Sequence, residues 1–159
     1  MVNLLPFFEW CEATRLGAAV RDSVWLFPVV ECVHLIALAW VAGAILVVDL
    51  RLLGFGFARQ PVAAIAAGAR RWLVTGLVVL VATGVLLFVS EAVKCYENPM
   101  FWTKMALLAI SLAVTFALRD RVCRAGDGTR LSQWGRPVAV LSLALWLGVA
   151  LSGRAIGFY

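Results

Sequence analysis

Charge is scarce in these 159 residues: Asp, Glu, Lys and Arg make up 14% of them, against about 25% in an ordinary soluble domain. So few polar side chains cannot coat a water-soluble globule, which excludes that class. Histidine occurs once, as His34. There is no HExxH pair, no phosphate-binding glycine loop and no serine–histidine–acid arrangement. Independent hydrolytic or group-transfer catalysis is therefore not expected. The four cysteines fall in no CxxC or comparable spacing, so a structural zinc site is not expected either. The basic residues sit in short links between apolar runs rather than on a folded polar domain, so nucleic acid is not expected as a partner.

Apolar residues are plentiful instead. They form 64% of the chain, with a mean hydropathy of +0.96. A hydrocarbon core about 30 Å thick is crossed by about 20 apolar residues in a helix. Four runs approach that length, at about 25–48, 72–90, 102–118 and 137–152. The predicted fold is all-α, an integral membrane four-helix bundle over residues 24–159, with the lipid bilayer as its main partner. Residues 1–23 lie ahead of it. There Leu4, Phe7, Phe8, Trp10 and Cys11 share one side of a helix while Glu9 and Glu12 take the other, the pattern of a short interfacial helix. Trp25 and Trp102 mark one membrane edge, and Trp72 and Trp134 the other. Arg51, Arg59, Arg70 and Arg71 fill the first link, and Arg119, Arg121, Arg124, Arg130 and Arg136 the last. The opposite side holds Arg15, Arg21, Lys94, Lys104 and Arg154, offset by Glu9, Glu12, Asp22, Glu91 and Glu97. The positive-inside rule then places both termini outside the cell membrane. Gly76, Gly84, Gly148 and Ser152, with Ala39, Ala42 and Gly43 in the first span, are expected to let helices approach closely.

His34 lies inside the first apolar run, with Glu31 three residues earlier on the same face. In hydrocarbon an ionisable side chain needs a partner and usually a purpose. Lys104 opens the third span and Arg154 closes the fourth, so both are expected at the depth of Glu31, where either could pair with it. Snorkelling to lipid headgroups is the plain alternative for both cations. His34 admits three readings. It could bind haem b or meet a quinone, with Lys104 or Arg154 on the propionates and Met105, or His34 of a second copy, as the other axial ligand. It could bind copper with Met100, Met105 or Cys32. It could be a polar or proton-handling residue bonded to Glu31, Ser111, Thr115 or Ser142. Asp49 and Arg51 are expected to anchor the far end of the first span, Asp49 pairing with Arg51 or with Arg119 across the bundle. Trp40 and Trp146 lie near mid-membrane as core, or as a wall around a flat cofactor. Cys11 and Cys95 fall on one side and could pair there; Cys32 reads as a small apolar filler.

Pro28-x-x-Glu31-x-x-His34, the following Gly43 and Asp49-Leu-Arg51-Leu-Leu-Gly54 form one group of motifs. Thr83-Gly84-x-Leu-Leu-Phe88, Asn98-Pro-x-Phe101-x-x-Lys104 and Ser142-x-x-x-Trp146-Leu-Gly-x-x-x-x-Gly153-Arg154 complete it. In this order the motifs resemble a bacterial family of small four-span inner-membrane proteins of unknown function, distantly similar to the membrane domain of copper-resistance D proteins. The resemblance spans nearly the whole chain. It implies a multi-pass protein of the bacterial inner membrane and brings no activity with it. A second histidine often stands near the inner end of the third span in that family; Ala117 is at that position here, so an intrasubunit bis-histidine haem is not expected. Two function classes remain from the sequence. One is a haem b or quinone-linked redox protein. The other is a non-catalytic accessory subunit, in a homo-oligomer or with other membrane subunits; copper or small-solute transport is a third possibility.

Overall fold

The computed structural model describes residues 4–56, 59–125 and 133–158, and within them every regular element is helical; Arg130 of the last link lies outside them. Two short helices, α1 (Leu5–Glu12) and α2 (Arg15–Arg21), precede the bundle. They are separate because Thr14 interrupts them: its backbone is extended and its hydroxyl accepts the Gly17 N–H at 3.2 Å, capping α2. The amphipathic face expected of this segment is divided. Phe8 and Cys11 are buried against Ala92, Phe88, Tyr96 and Phe101, whereas Phe7 and Trp10 face outward.

The first long helix, α3 (Leu26–Leu53), has 28 residues, about 42 Å at 1.5 Å per residue. It runs five residues past Val48 and ends where Gly54 takes a left-handed φ of 95°. There the Phe55 N–H bonds back to the Leu50 carbonyl at 2.8 Å, a Schellman-type close that favours glycine. The second, α4 (Val62–Ser90), begins ten residues before the expected Trp72. The reason is local: Val62-Ala-Ala-Ile-Ala-Ala-Gly-Ala has no proline after Pro61 and enough alanine to carry its one glycine, so the helix extends through the arginines. A one-and-a-half-turn helix, α5 (Ala92–Glu97), bridges to the third span. That span is composite, with α6 (Pro99–Ala113), a π turn (Val114–Arg119) and α7 (Asp120–Ala125). Asn98 caps its start by accepting the Met100 N–H at 2.9 Å. The last helix, α8 (Gly135–Ala155), gives way to a 3-10 turn (Ile156–Phe158).

Four helical stretches are therefore long and apolar enough to cross a bilayer, and large apolar side chains such as Ile36, Val78, Leu147 and Leu151 point outward from them. Outward apolar faces are stable against lipid and costly against water. The chain is a multi-pass membrane protein built as a helical bundle. The close pairs are α3 with α4, α6 with α8, and α3 with α8, while α4 meets the third span mainly through α7. At the α3–α4 crossing Gly76 permits contact: a Cβ there would stand 2.9 Å from Val41 Cγ2. Gly43, expected to serve the same purpose, has nothing within 4 Å of its would-be Cβ. The core splits into one apolar layer around Val41, Ile45, Leu73, Leu80 and Trp146, and another around Val48, Leu52, Val122 and Val138.

Candidate functional site at His34

His34 projects from α3 onto α4, half-buried. Its Nδ1 is 2.9 Å from Thr83 Oγ1. The Thr83 hydroxyl lies 2.7 Å from the Val79 carbonyl, and a carbonyl can only accept. The single hydroxyl proton goes there, so Oγ1 accepts from Nδ1–H. With the hydroxyl so engaged the Nδ1–H tautomer is the one that fits, the Leu80 carbonyl is also within hydrogen-bonding reach of the ring, and in that tautomer Nε2 keeps its lone pair. Gly84 makes this approach possible, because a Cβ at that position would lie 3.3 Å from His34 Cε1. Thr83 was not expected as a partner from the sequence, and none of Glu31, Ser111, Thr115 or Ser142 takes that place.

Lys104 reaches the same level from α6. Its side chain lies along Gly153 of α8, with Nζ 3.4 Å from where a Cβ would stand. The ammonium is close enough to act electrostatically on His34, and the Cys95 thiol is within the same reach of it. Among the described residues Lys104 has no ion-pair or hydrogen-bond partner. Between α4 and α6 the contact is slight apart from Phe88 stacked on Phe101, 5.7 Å apart at 15°. The imidazole rests on α4 and the ammonium extends from α6, two helices that pack sparsely against each other.

The other candidates do not join them. Glu31 is exposed and makes no hydrogen bond or ion pair among the described residues. Helix register explains this: Leu52 lies against Gly135 and Asp49 approaches Ser142, so Glu31 comes level with residues beyond the end of α8. Its expected pairing with Lys104 or Arg154 is not formed. Arg154 instead lies over the Phe158 ring, 4.7 Å from its centroid. Met105, adjacent to Lys104, is 45% exposed on the outer face. Cys32 is exposed as well, and all four cysteines are free thiols. Among the described residues no group of three or more His, Cys, Asp or Glu side chains could hold a metal ion.

At the opposite end of the bundle the expected cross-bundle pair is present. Arg119 Nη1 is 3.5 Å from Asp49 Oδ1, both residues being buried. Arg51 is not its partner; it donates to the Gln60 carbonyl at 3.1 and 3.3 Å. Trp146 lies in the core with its Nε1–H on Thr115 Oγ1 at 3.1 Å. Trp40 is half outside and rests on Trp72, with ring centroids 5.5 Å apart. No sequence signal pointed to the π turn. It has a recognisable effect, since Ser111, Thr115 and Arg119 are all buried. Over eight residues an α-helix at about 100° per residue would swing Arg119 some 80° away from Ser111. The wider π turn advances less per residue and brings the three side chains back into line.

Residues 7–159 match the model of a family of unknown function, DUF6644. The chain belongs to that family. No curated protein and no solved structure is found to match it. As a DUF6644 member it carries two polar centres, one at each end of the bundle. They lie fifteen residues apart on α3, about 22 Å, and the apolar layer around Val41, Ile45 and Trp146 separates them.

Proposed function

We propose that this membrane protein binds a quinol or quinone headgroup at His34 and Lys104. The observation that carries the proposal is the Thr83 hydrogen bond, which leaves His34 Nε2 as an acceptor within electrostatic reach of an ammonium that has no carboxylate partner among the described residues. A quinol hydroxyl can donate to Nε2 while the other ring oxygen accepts from Lys104 Nζ–H. The two contacts are complementary to one small amphiphilic ring, and the loose seam between α4 and α6 offers a route from the lipid. These residues supply a proton acceptor and a hydrogen-bond donor, so the proposal concerns binding. In this reading the arginine-rich links face the cytoplasm of a bacterial cell and the His34 end faces the periplasmic side of the inner membrane.

Haem b is a second reading, favoured by the same anchored Nδ1–H, because iron-bound imidazoles generally donate their other nitrogen to a fixed acceptor. His34 Nε2 would ligate the iron and Lys104 would face a propionate. No second axial donor faces the ring among the described residues, so a six-coordinate iron would need His34 from a second copy.

The test is purification in mild detergent, followed by an absorption spectrum, solvent extraction of bound quinones and titration with a short-chain quinol. Saturable binding weakened at least tenfold in His34→Ala supports the proposal. A Soret band lost in the same variant selects haem. Folded protein with neither leaves a packing subunit of a larger membrane complex.

A further inference from the structure

The Asp49 end holds a polar centre that the His34 proposal does not use. Three helical stretches meet there: Asp49 on α3 and Ser142 on α8 are both 0% exposed, and Arg119 at the end of the π turn is 4% exposed. The Asp49–Arg119 separation of 3.5 Å exceeds the roughly 2.7–2.9 Å of a closed charge-assisted hydrogen bond. Among the described residues neither Asp49 carboxylate oxygen, nor Arg119 Nη1, nor Ser142 Oγ makes a well-aligned hydrogen bond, although Ser142 and Arg119 both lie close to the Asp49 carboxylate. Four buried polar atoms in that condition, in one place, are not a finished network, since such atoms are normally satisfied by protein or by ordered water.

The chemistry of these atoms specifies what would complete them. A cation would suit Asp49 but face the Arg119 guanidinium, and an anion would suit Arg119 but face the carboxylate. The pair is neutral overall, and what remains unmade is a mixture of donors and acceptors. A neutral group that both donates and accepts closes it. We infer that Asp49, Arg119 and Ser142 hold an internal water molecule between them. Its oxygen accepts from Arg119 Nη1–H, and its hydrogens go to one Asp49 oxygen and to Ser142 Oγ. The Ser142 hydroxyl then donates to the other Asp49 oxygen, which it already approaches. Three polar partners are the usual number for a buried water. The π turn belongs to the same design, because it brings Arg119 round to the bundle interior beneath Thr115. An apolar layer of Val48, Leu52, Val122 and Val138 packs at the same end of the bundle.

The experiment is a structure of the full chain in a lipid nanodisc at a resolution that shows ordered water, paired with infrared spectra in H2-16O and H2-18O. One density peak within about 3.2 Å of all three side chains, together with an isotope-sensitive O–H band outside the bulk envelope, is the expected result. Ser142→Val should abolish both by filling the space with methyl groups. Direct Asp49–Arg119 contact with no density between them would overturn the inference, as would a peak that bromide replaces. Should the valine variant fail to fold, the wild-type density and isotope shift decide the matter alone.

Discussion

Removing one member of the Asp49–Arg119 pair should cost far more than removing both. The charges are 3.5 Å apart and almost fully buried. With an effective dielectric constant of about 20, the attraction is about 5 kcal/mol. Desolvation of the two ions opposes it by a similar amount, so the pair as a whole contributes little net stability. The unbalanced state is the costly one. Asp49→Leu leaves the buried Arg119 guanidinium without its carboxylate, and Arg119→Met leaves the buried Asp49 carboxylate without its cation. Each single variant should lose about 3–5 kcal/mol, the range for breaking a buried pair. The Asp49→Leu/Arg119→Met double variant should return to within about 1–2 kcal/mol of the parent. Equilibrium unfolding by sodium dodecyl sulfate in mixed micelles, read by far-UV circular dichroism, measures all four corners of the cycle. If the double variant loses the sum of the two singles to within about 0.5 kcal/mol, the two charges do not interact and the energetic account of this centre is wrong.

Thr83→Val keeps the shape of the side chain but removes the acceptor for His34 Nδ1–H, and should weaken quinol binding by about 10–100-fold with little change in unfolding; titration of the purified variant checks it. Gly84→Ala places a methyl group 3.3 Å from His34 Cε1, so the ring must shift and the same titration should again show a loss. Trp146→Phe removes the Nε1–H that Thr115 accepts and should destabilise the bundle by about 1–3 kcal/mol, measured by the same unfolding assay. Cys95, between the second and third spans, has its thiol pushed up from 9.0 to about 11, first by burial and then by Glu91. The unfolded thiol ionises at lower pH than the folded one, so stability should fall as pH rises from 9.0 towards about 11. In a variant keeping only this cysteine, the alkylation rate should also climb about tenfold per pH unit across that window.

Periodicity and length made the bundle legible. The runs at about 25–48 and 137–152 pointed to α3 and α8, though not to their full lengths, because apolar runs of that size have few other stable uses. The start of α4 was hidden because Arg70 and Arg71 interrupt the hydropathy without interrupting the helix. The π turn was hidden because Val114-Thr-Phe-Ala-Leu-Arg119 contains no proline or glycine to mark it; its cause is tertiary, the alignment of Thr115 and Arg119 towards the core. The place of His34 on the first span was readable, but its partner was not. A spacing of three identifies neighbours on one helix, whereas Thr83 depends on the α3–α4 register, which the Val41–Gly76 contact sets.

That register also explains why two acids on one helix have opposite fates. Asp49 falls where α8 packs against α3 and the π turn packs against α8, so it is enclosed and must be matched by Arg119. Glu31 comes level with the point where α8 has ended, so nothing on that side encloses it and no cation is required. Lys104, deeper in the bundle at the level of His34, is left unmatched by any carboxylate among the described residues and lies along Gly153, within electrostatic reach of His34. An acid at position 31 that was pulled into the bundle would neutralise Lys104 and compete with any ligand for its ammonium. Exposure of Glu31 and availability of Lys104 are thus two consequences of one helix ending. Extending α8 by a further turn, with a side chain that draws Glu31 inward, should weaken ligand binding even with His34, Thr83 and Lys104 intact.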